Sequence, residues 1–104
     1  MRFTKKVAVV TGANKGIGFG IVKGLIPVFE GDVILTSRSE ERGLEAVKDL
    51  EAMGLEAKFH QLDVTDQESI ETLKIFLKEK YGGLDVLVNN AGIFIGSDEP
   101  EQVS

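Results

Sequence analysis

The chain has 104 residues, a net charge of −5 and a hydrophobic fraction of 42%, which are ordinary values for one small soluble globular domain. The acidic balance argues against nucleic acid or an anionic membrane surface as a partner. The absence of cysteine excludes disulfides and cysteine-ligated metals, and no apolar stretch approaches the roughly 20 residues needed to span a bilayer.

The first predicted strand, Val7–Val10, is followed at once by a glycine-rich turn, residues 11–18, that opens a helix. Many proteins bind the pyrophosphate of a dinucleotide with such a turn, because the N–H groups and the dipole at the start of a helix favour an anion. The spacing Gly12-x-x-x-Gly16-x-Gly18 differs from the common G-x-G-x-x-G, so the turn alone is moderately specific. Residues 1–6 lack the apolar core of a secretory signal, and the expected location is the cytoplasm.

Three helices are predicted between the strands. The first begins near Gly16 and is ended or kinked by Pro27. The second has Ser39 as its N-cap, and the third opens with a capping box, Thr65-x-x-Glu68. The predicted buried stripes are, in order, Ile17, Ile21, Val22 and Leu25; Leu44, Val47, Leu50 and Met53; and Ile70, Leu73 and Leu77.

The remaining strands are predicted at residues 33–35, 57–62 and 86–88. The first and last of these are unbroken apolar runs, typical of a parallel sheet buried on both faces, whereas 57–62 alternates and is expected at a sheet edge. Strands that alternate with helices predict an α/β fold, a Rossmann-like doubly wound parallel sheet of four strands in the order 3-2-1-4. Residues 11–18 and 89–92 are then expected to meet at the carboxyl ends of the first and fourth strands.

Arg38 follows the second predicted strand, about twenty residues after the last glycine of the turn. Proteins that bind NAD carry an acid in this region for the ribose hydroxyls, whereas an arginine accommodates a 2′-phosphate. Lys15, in the glycine turn, supplies a second cation. The alternative is that both are ordinary surface residues, but beside the glycine turn they favour NADP(H).

Three ordered motifs resemble the short-chain dehydrogenase/reductase family, namely residues 11–18, the pair Asp63-Val64 and the Asn-Asn-Ala-Gly run at 89–92. Longer matches, at residues 31–33, 59–63 and 81–88, resemble the monomeric NADPH carbonyl reductases in particular, and the likeness extends from about residue 7 to residue 93. The resemblance implies that Asp63 accepts a hydrogen bond from the adenine amino group. Asn89 is interpreted instead as a structural residue that ties strand ends together. The cofactor-binding residues that the resemblance implies are Gly12, Asn14, Lys15, Gly16, Ile17, Gly18, Arg38, Asp63, Val64, Asn90, Ala91 and Gly92.

The resemblance also implies NADPH-dependent reduction of an aldehyde, ketone or quinone carbonyl in the full-length family. The family's Ser–Tyr–Lys set, with Tyr-x-x-x-Lys spacing, does not occur here, since Tyr81 is followed four residues later by Asp85. Tyr81 is therefore interpreted as a packing residue. We expect residues 1–104 to be the N-terminal NADP-binding part of such a domain, without its catalytic half and not catalytic alone, with residues 96–104 frayed.

The sequence leaves a second function open. A non-catalytic NADP-binding module or truncated isoform acting through a partner is the main alternative, and a longer coding sequence with Tyr-x-x-x-Lys would decide against it. A P-loop hydrolase is excluded because Lys15 is followed by glycine, and methyltransferases usually carry an acid where this chain has Arg38. The lone His60 is interpreted as structural. The apolar run 86–88 predicts an open sheet edge and self-association of the isolated chain.

Overall fold

Strands and helices alternate through residues 5–90, the part of the chain that the computed structural model describes. They are β1 Val7–Val10, α1 Gly16–Leu25, β2 Asp32–Ser37, α2 Glu40–Ala52, β3 Lys58–Gln61, α3 Gln67–Tyr81 and β4 Val86–Val88. The predicted element order is confirmed over this range, and β1 and β4 have the predicted bounds. Ala91, Gly92 and the tail at 96–104 lie outside the described residues.

The four strands form one parallel sheet in the order β3-β2-β1-β4, which confirms the predicted topology. Val9 lies opposite Ile34 on one side and Leu87 on the other. All four residues of β1 are fully buried, because this strand has a neighbour on each side and helices cover the sheet. The alternating segment, found as β3, lies at an edge of the sheet as expected.

Two hydrophobic clusters lie on opposite faces of the sheet. Val7, Val9 and Ile34 pack against α3 on one face, in a cluster that includes Leu73 and Tyr81. The other cluster joins β1 and β2 to α1 and α2, and its buried members are Val10, Ala13, Val22, Val33, Leu35, Ala46, Leu50 and Ala57. The result is a three-layer arrangement with the loops after the strands at one edge. Within residues 5–90 no helix combines the length and apolarity required for crossing a membrane.

The buried face of α2 differs from the predicted stripe. Gly43 and Leu50 are buried, whereas Leu44 and Met53 are 44% and 48% exposed. A Cβ atom on Gly43 would collide with the ring of Phe59. The helix therefore approaches β3 through one of its smallest residues, and a pattern that selects large apolar residues misses that contact.

The same difference appears in α1. Gly18 and Val22 are its buried residues, whereas Ile17 is 77% exposed, so Ile17 does not belong to the predicted packing stripe. The helix ends at Leu25, before Pro27, as predicted. The buried side of α1 is thus set by close approach of the backbone at Gly18.

The N-cap of α3 is Asp66 and not Thr65, which corrects the predicted capping box. The Asp66 carboxylate accepts a hydrogen bond of 3.1 Å from the backbone N–H of Glu68. The Thr65 hydroxyl instead donates to Asp63 at 2.6 Å, and Thr65 lies one residue before the N-cap position. The predicted buried stripe of this helix is confirmed at Ile70, Leu73 and Leu77.

Candidate nucleotide-binding site

A cleft of about 270 Å³ opens at the carboxyl ends of β1, β2 and β3. Three separate loops build it, because the carboxyl ends of parallel strands meet at one edge of the sheet. Six of the residues predicted for cofactor binding line it, namely Gly12, Asn14, Lys15, Arg38, Asp63 and Val64. Gly16, Ile17, Gly18 and Asn90 are not among its lining residues.

The charges along the cleft are mainly positive, although the whole chain carries −5. Lys15, Arg38 and Arg42 line it together with one carboxylate, Asp63. Hydrogen bonds from the Thr65 hydroxyl and the Thr65 backbone N–H, joined by the positive charge of Arg38, lower the pKa of Asp63. The cleft therefore presents cations to an anionic ligand beside one ionised acceptor.

The glycines of the first turn have distinct structural roles. Gly12 and Gly16 adopt the left-handed conformation, with φ of 58° and 63°, which glycine enters without steric penalty. Gly18 is buried in close contact with the preceding turn, because a Cβ atom there would run into the carbonyl oxygen of Gly12 and lie 2.7 Å from Nδ2 of Asn90. The turn is therefore folded tightly over the start of α1.

The start of α1 differs from the start of α2. The N-cap residue of α1, Lys15, makes no side-chain cap hydrogen bond, and the first turn of α1 contains no acid. In α2, Ser39 caps the helix and Glu40 and Glu41 complement its dipole. The α1 terminus thus retains the positive end of its dipole for an external anion.

Both asparagines after β4 contact the loop after β1. The Thr11 hydroxyl donates to Oδ1 of Asn89 at 3.2 Å, in agreement with the structural role expected for Asn89. Nδ2 of Asn90 donates to the carbonyl oxygen of Gly12 at 3.0 Å. Asn90 therefore supports the glycine turn through its amide, in addition to the cofactor contact that the resemblance implies. That contact stays a prediction.

The sequence reasoning missed several residues of the cleft. Arg42 is absent from the predicted set, but it lines the cleft because α2 begins at the carboxyl end of β2 and its first turn lies there. The hydroxyl of Ser37 donates to Oδ1 of Asn14 and accepts from the N–H of Ser39, both at 3.2 Å, which joins the first two loops. Leu62 and Thr65 complete the missed set. The four-residue spacing of Arg38 and Arg42 was the available signal.

The contacts of His60 agree with the structural role interpreted from the sequence. Its Nδ1 lies 2.8 Å from the carbonyl oxygen of Gln61, and its ring centroid lies 4.8 Å from that of Phe76. Within residues 5–90 no group of three or more His, Cys, Asp or Glu side chains is arranged to hold a metal ion.

Comparison with known proteins identifies the family. The model of the short chain dehydrogenase family matches residues 6–103. The chain belongs to this family. It is 63% identical over 87 residues to NADPH carbonyl reductase 1 of Bos taurus, covering 84% of this chain and 31% of that protein. It is 56% identical over 100 residues to NADPH carbonyl reductase 3 of Mus musculus, covering 96% of this chain and 36% of that protein.

Solved structures agree with the family assignment. A metagenomic short-chain oxidoreductase, crystallised in complex with NADP, is similar with a TM-score of 0.72 and 38% identity. The similarity covers 85% of this chain and 39% of that one. The short-chain dehydrogenase likeness of the three sequence motifs is thus confirmed, and the chain spans about a third of the length of the curated relatives that it matches.

Proposed function

We propose that this chain binds NADPH in the cleft and forms the cofactor-binding part of a carbonyl reductase-like oxidoreductase. The observation that carries the proposal is the meeting of three cations, Lys15, Arg38 and Arg42, beside the uncapped start of α1 in an acidic chain. A second phosphate on the adenosine ribose is the feature that distinguishes NADPH from NADH, and an arginine pair is suited to bind it. The relatives whose names include NADPH support the same choice.

The residues present fit the cofactor at both ends of its adenosine half. The turn at Gly12 and Gly16 leaves room for the backbone to approach a pyrophosphate, and the α1 dipole favours its charge. Asp63 is ionised and has acceptor capacity beyond its bonds to Thr65, which suits an adenine amino group. The further proposed contacts are Asn14, Ile17, Gly18, Val64, Asn90, Ala91 and Gly92.

When bound, NADPH supplies the hydride that reduces a carbonyl. The part of this chain is to bind and orient the cofactor: the cations hold its phosphates, and Asp63 with Val64 holds its base. We propose an aldehyde, ketone or quinone as the substrate of the whole enzyme, and the cytoplasm as its location. The alternative function, a non-catalytic NADP-binding module, predicts the same binding without turnover.

Nucleotide titration tests the proposal. Calorimetry on the folded chain is expected to show tighter binding of NADPH than of NADH, by about ten- to a hundredfold for one or two charge-assisted contacts. Arg38→Asp places a carboxylate against the 2′-phosphate and should reduce or reverse the preference. Lys48→Asp makes the same change of charge on α2, at a residue that does not line the cleft, and should leave the preference in place. Absence of heat with NADPH at millimolar concentration would refute the proposal.

We also propose that the whole enzyme is a monomer and that the isolated chain self-associates through β4. This strand ends the described sheet, and its three apolar residues are only partly buried. Sedimentation velocity over a wide concentration range is expected to show mass rising with concentration. Lysine in place of Leu87 should suppress that rise, and a monomer at all concentrations contradicts the proposal.

A further inference from the structure

One side-chain amide joins the two loops that carry Arg38 and Asp63. Gln61, the last residue of β3, donates from Nε2 to the carbonyl oxygen of Arg38 at 3.2 Å. Its Oε1 accepts from the hydroxyl of Ser69 at 3.1 Å. The Ser69 oxygen in turn accepts from the backbone N–H of Asp63 at 2.9 Å. Three hydrogen bonds thus run from the loop after β2, through Gln61, to the loop after β3.

Among side chains of this length, only a glutamine amide can make these hydrogen bonds in the observed directions. Ser69 receives the Asp63 N–H, so its own hydrogen points to an acceptor, which is Oε1 of Gln61. The Arg38 carbonyl needs a donor, which is the NH₂ group of the same amide. A glutamate offers no donor to this carbonyl, and a lysine offers no acceptor to the Ser69 hydroxyl.

The backbone hydrogen bonds between β2 and β3 do not by themselves fix the positions of Arg38 and Asp63. Gln61 is registered with Ser37, and the N–H of Leu62 donates to the Ser37 carbonyl at 2.9 Å, which ends the pairing of β2 with β3. Arg38 and Asp63 both lie beyond that last bond. Their backbones are therefore held relative to one another by the Gln61–Ser69 link, and Ser69 is itself buried at the start of α3.

We propose that Gln61, acting with Ser69, is a positioning residue for NADPH that fixes the spacing between the 2′-phosphate cation Arg38 and the adenine acceptor Asp63. Gln61 is not among the residues that line the cleft, so it acts through these two and makes no contact with the ligand. The inference rests on the proposed function. Loosening this link is expected to weaken NADPH more than NADH, because only NADPH uses both Arg38 and Asp63.

The test compares Gln61→Met with the unaltered chain by titration with NADPH and NADH. Methionine has nearly the same length and removes both hydrogen bonds, so NADPH affinity should fall by about three- to tenfold and NADH affinity by less. Gln67→Met is the matched control, because Gln67 bonds only the neighbouring Glu71 on the outer face of α3, and should change neither affinity. Gln61→Asn keeps a polar amide at this position but shortens the side chain. It should therefore lose the same part of the preference for NADPH over NADH, without placing an apolar residue there.

A double-mutant cycle separates positioning from a general structural effect. In an Arg38→Met background the extra loss for NADPH should disappear, since the residue that Gln61 positions is no longer there. An equal loss for both nucleotides, or the same NADPH loss in both backgrounds, overturns the inference while the proposed function stands. Failure of the unaltered chain to bind NADPH overturns both.

Discussion

The phenol of Tyr81 donates a 2.6 Å hydrogen bond to the carboxylate of Asp32. Tyr81 is the last residue of α3 and Asp32 is the first of β2, so the bond fastens the end of the helix to the amino edge of the sheet. Lys5 lies 3.5 Å from the same carboxylate. The interpretation of Tyr81 as a packing residue is confirmed by its burial, and the contact places it at the sheet edge opposite the nucleotide cleft.

Tyr81→Phe should destabilise the fold without affecting the cleft. The substitution keeps the ring in the core and leaves the Asp32 carboxylate without its phenol donor, which is expected to lower the free energy of unfolding by about 1.5–3 kcal/mol. Urea denaturation measures the loss. Asp32→Asn keeps an acceptor oxygen and should cost less. A Tyr81→Phe variant as stable as the parent would show that water replaces this bond.

The same contact predicts sensitivity to alkali. Burial of the phenol, followed by the hydrogen bond and the negative charge of Asp32, raises the pKa of Tyr81 above its ordinary value of about 10. Above that pH the unfolded chain loses a proton that the folded chain retains, so stability is fully present below about pH 10 and declines as the pH rises further. Urea midpoints from about pH 8 to 11 should fall more steeply for the parent than for Tyr81→Phe. Parallel curves would contradict the assignment.

The sequence predicted the sheet better than the helix faces, for a physical reason. The unbroken apolar run of β1 and the alternation of β3 report burial directly, so the central position of β1 and the edge position of β3 followed, whereas β4 is equally apolar but only partly buried at the other edge. A helix that packs closely turns its smallest residues to the sheet, as at Gly43, whereas hydrophobicity alone selected Leu44. In the cleft, the cation missed was Arg42, because its role depends on where α2 begins and not on a motif.

Gly18 and Gly20 form a matched pair on α1. A Cβ at Gly18 would strike the carbonyl oxygen of Gly12, whereas one at Gly20 meets nothing within 4 Å. Gly18→Ala should therefore shift the turn, destabilise the chain by about 1–3 kcal/mol and weaken NADPH binding. Gly20→Ala should stabilise the helix by about 0.5–1 kcal/mol and leave NADPH binding intact. Thermal unfolding and NADPH titration of both variants check this, and similar behaviour of the two contradicts the close-approach argument.

The pKa of Asp63 can be used to test the hydrogen bonds between Asp63 and Thr65. Its Oδ1 accepts from the Thr65 N–H at 3.0 Å and from the Thr65 hydroxyl, and these bonds are the largest cause of its lowered pKa, ahead of the charge of Arg38. Thr65→Val removes the hydroxyl and should raise the pKa of Asp63 towards its ordinary value, more than Arg38→Met does. Carboxyl carbon NMR titration measures the pKa, and the control is Thr72→Val, which removes a threonine hydroxyl on α3 that bonds the carbonyl oxygen of Glu68 and not Asp63.

The sign of the pH effect follows from the direction of this shift. A carboxyl whose folded pKa is lowered stabilises the fold above the unfolded value near 3.9, and that contribution is lost as the pH falls through the folded pKa. Thr65→Val should therefore unfold at a slightly higher pH on acid titration than the parent. An Asp63 pKa that does not move in Thr65→Val would mean that the hydroxyl bond is not formed in solution.

Substitution of Arg42 tests whether the positive charge of the cleft, on an otherwise acidic surface, binds the 2′-phosphate. It lines the cleft beside Arg38, and its own N–H bonds the capping oxygen of Ser39, so its backbone is fixed while its side chain is exposed. Solvent weakens a contact at such a site, and Arg42→Met should reduce NADPH affinity about tenfold at low salt with little change for NADH. Because exposed charges are screened within about 10 Å at 0.1 M salt, the difference should narrow as salt is added. Lys48→Met, on the same helix, should have no such effect, and an equal loss for NADH would exclude a 2′-phosphate role for Arg42.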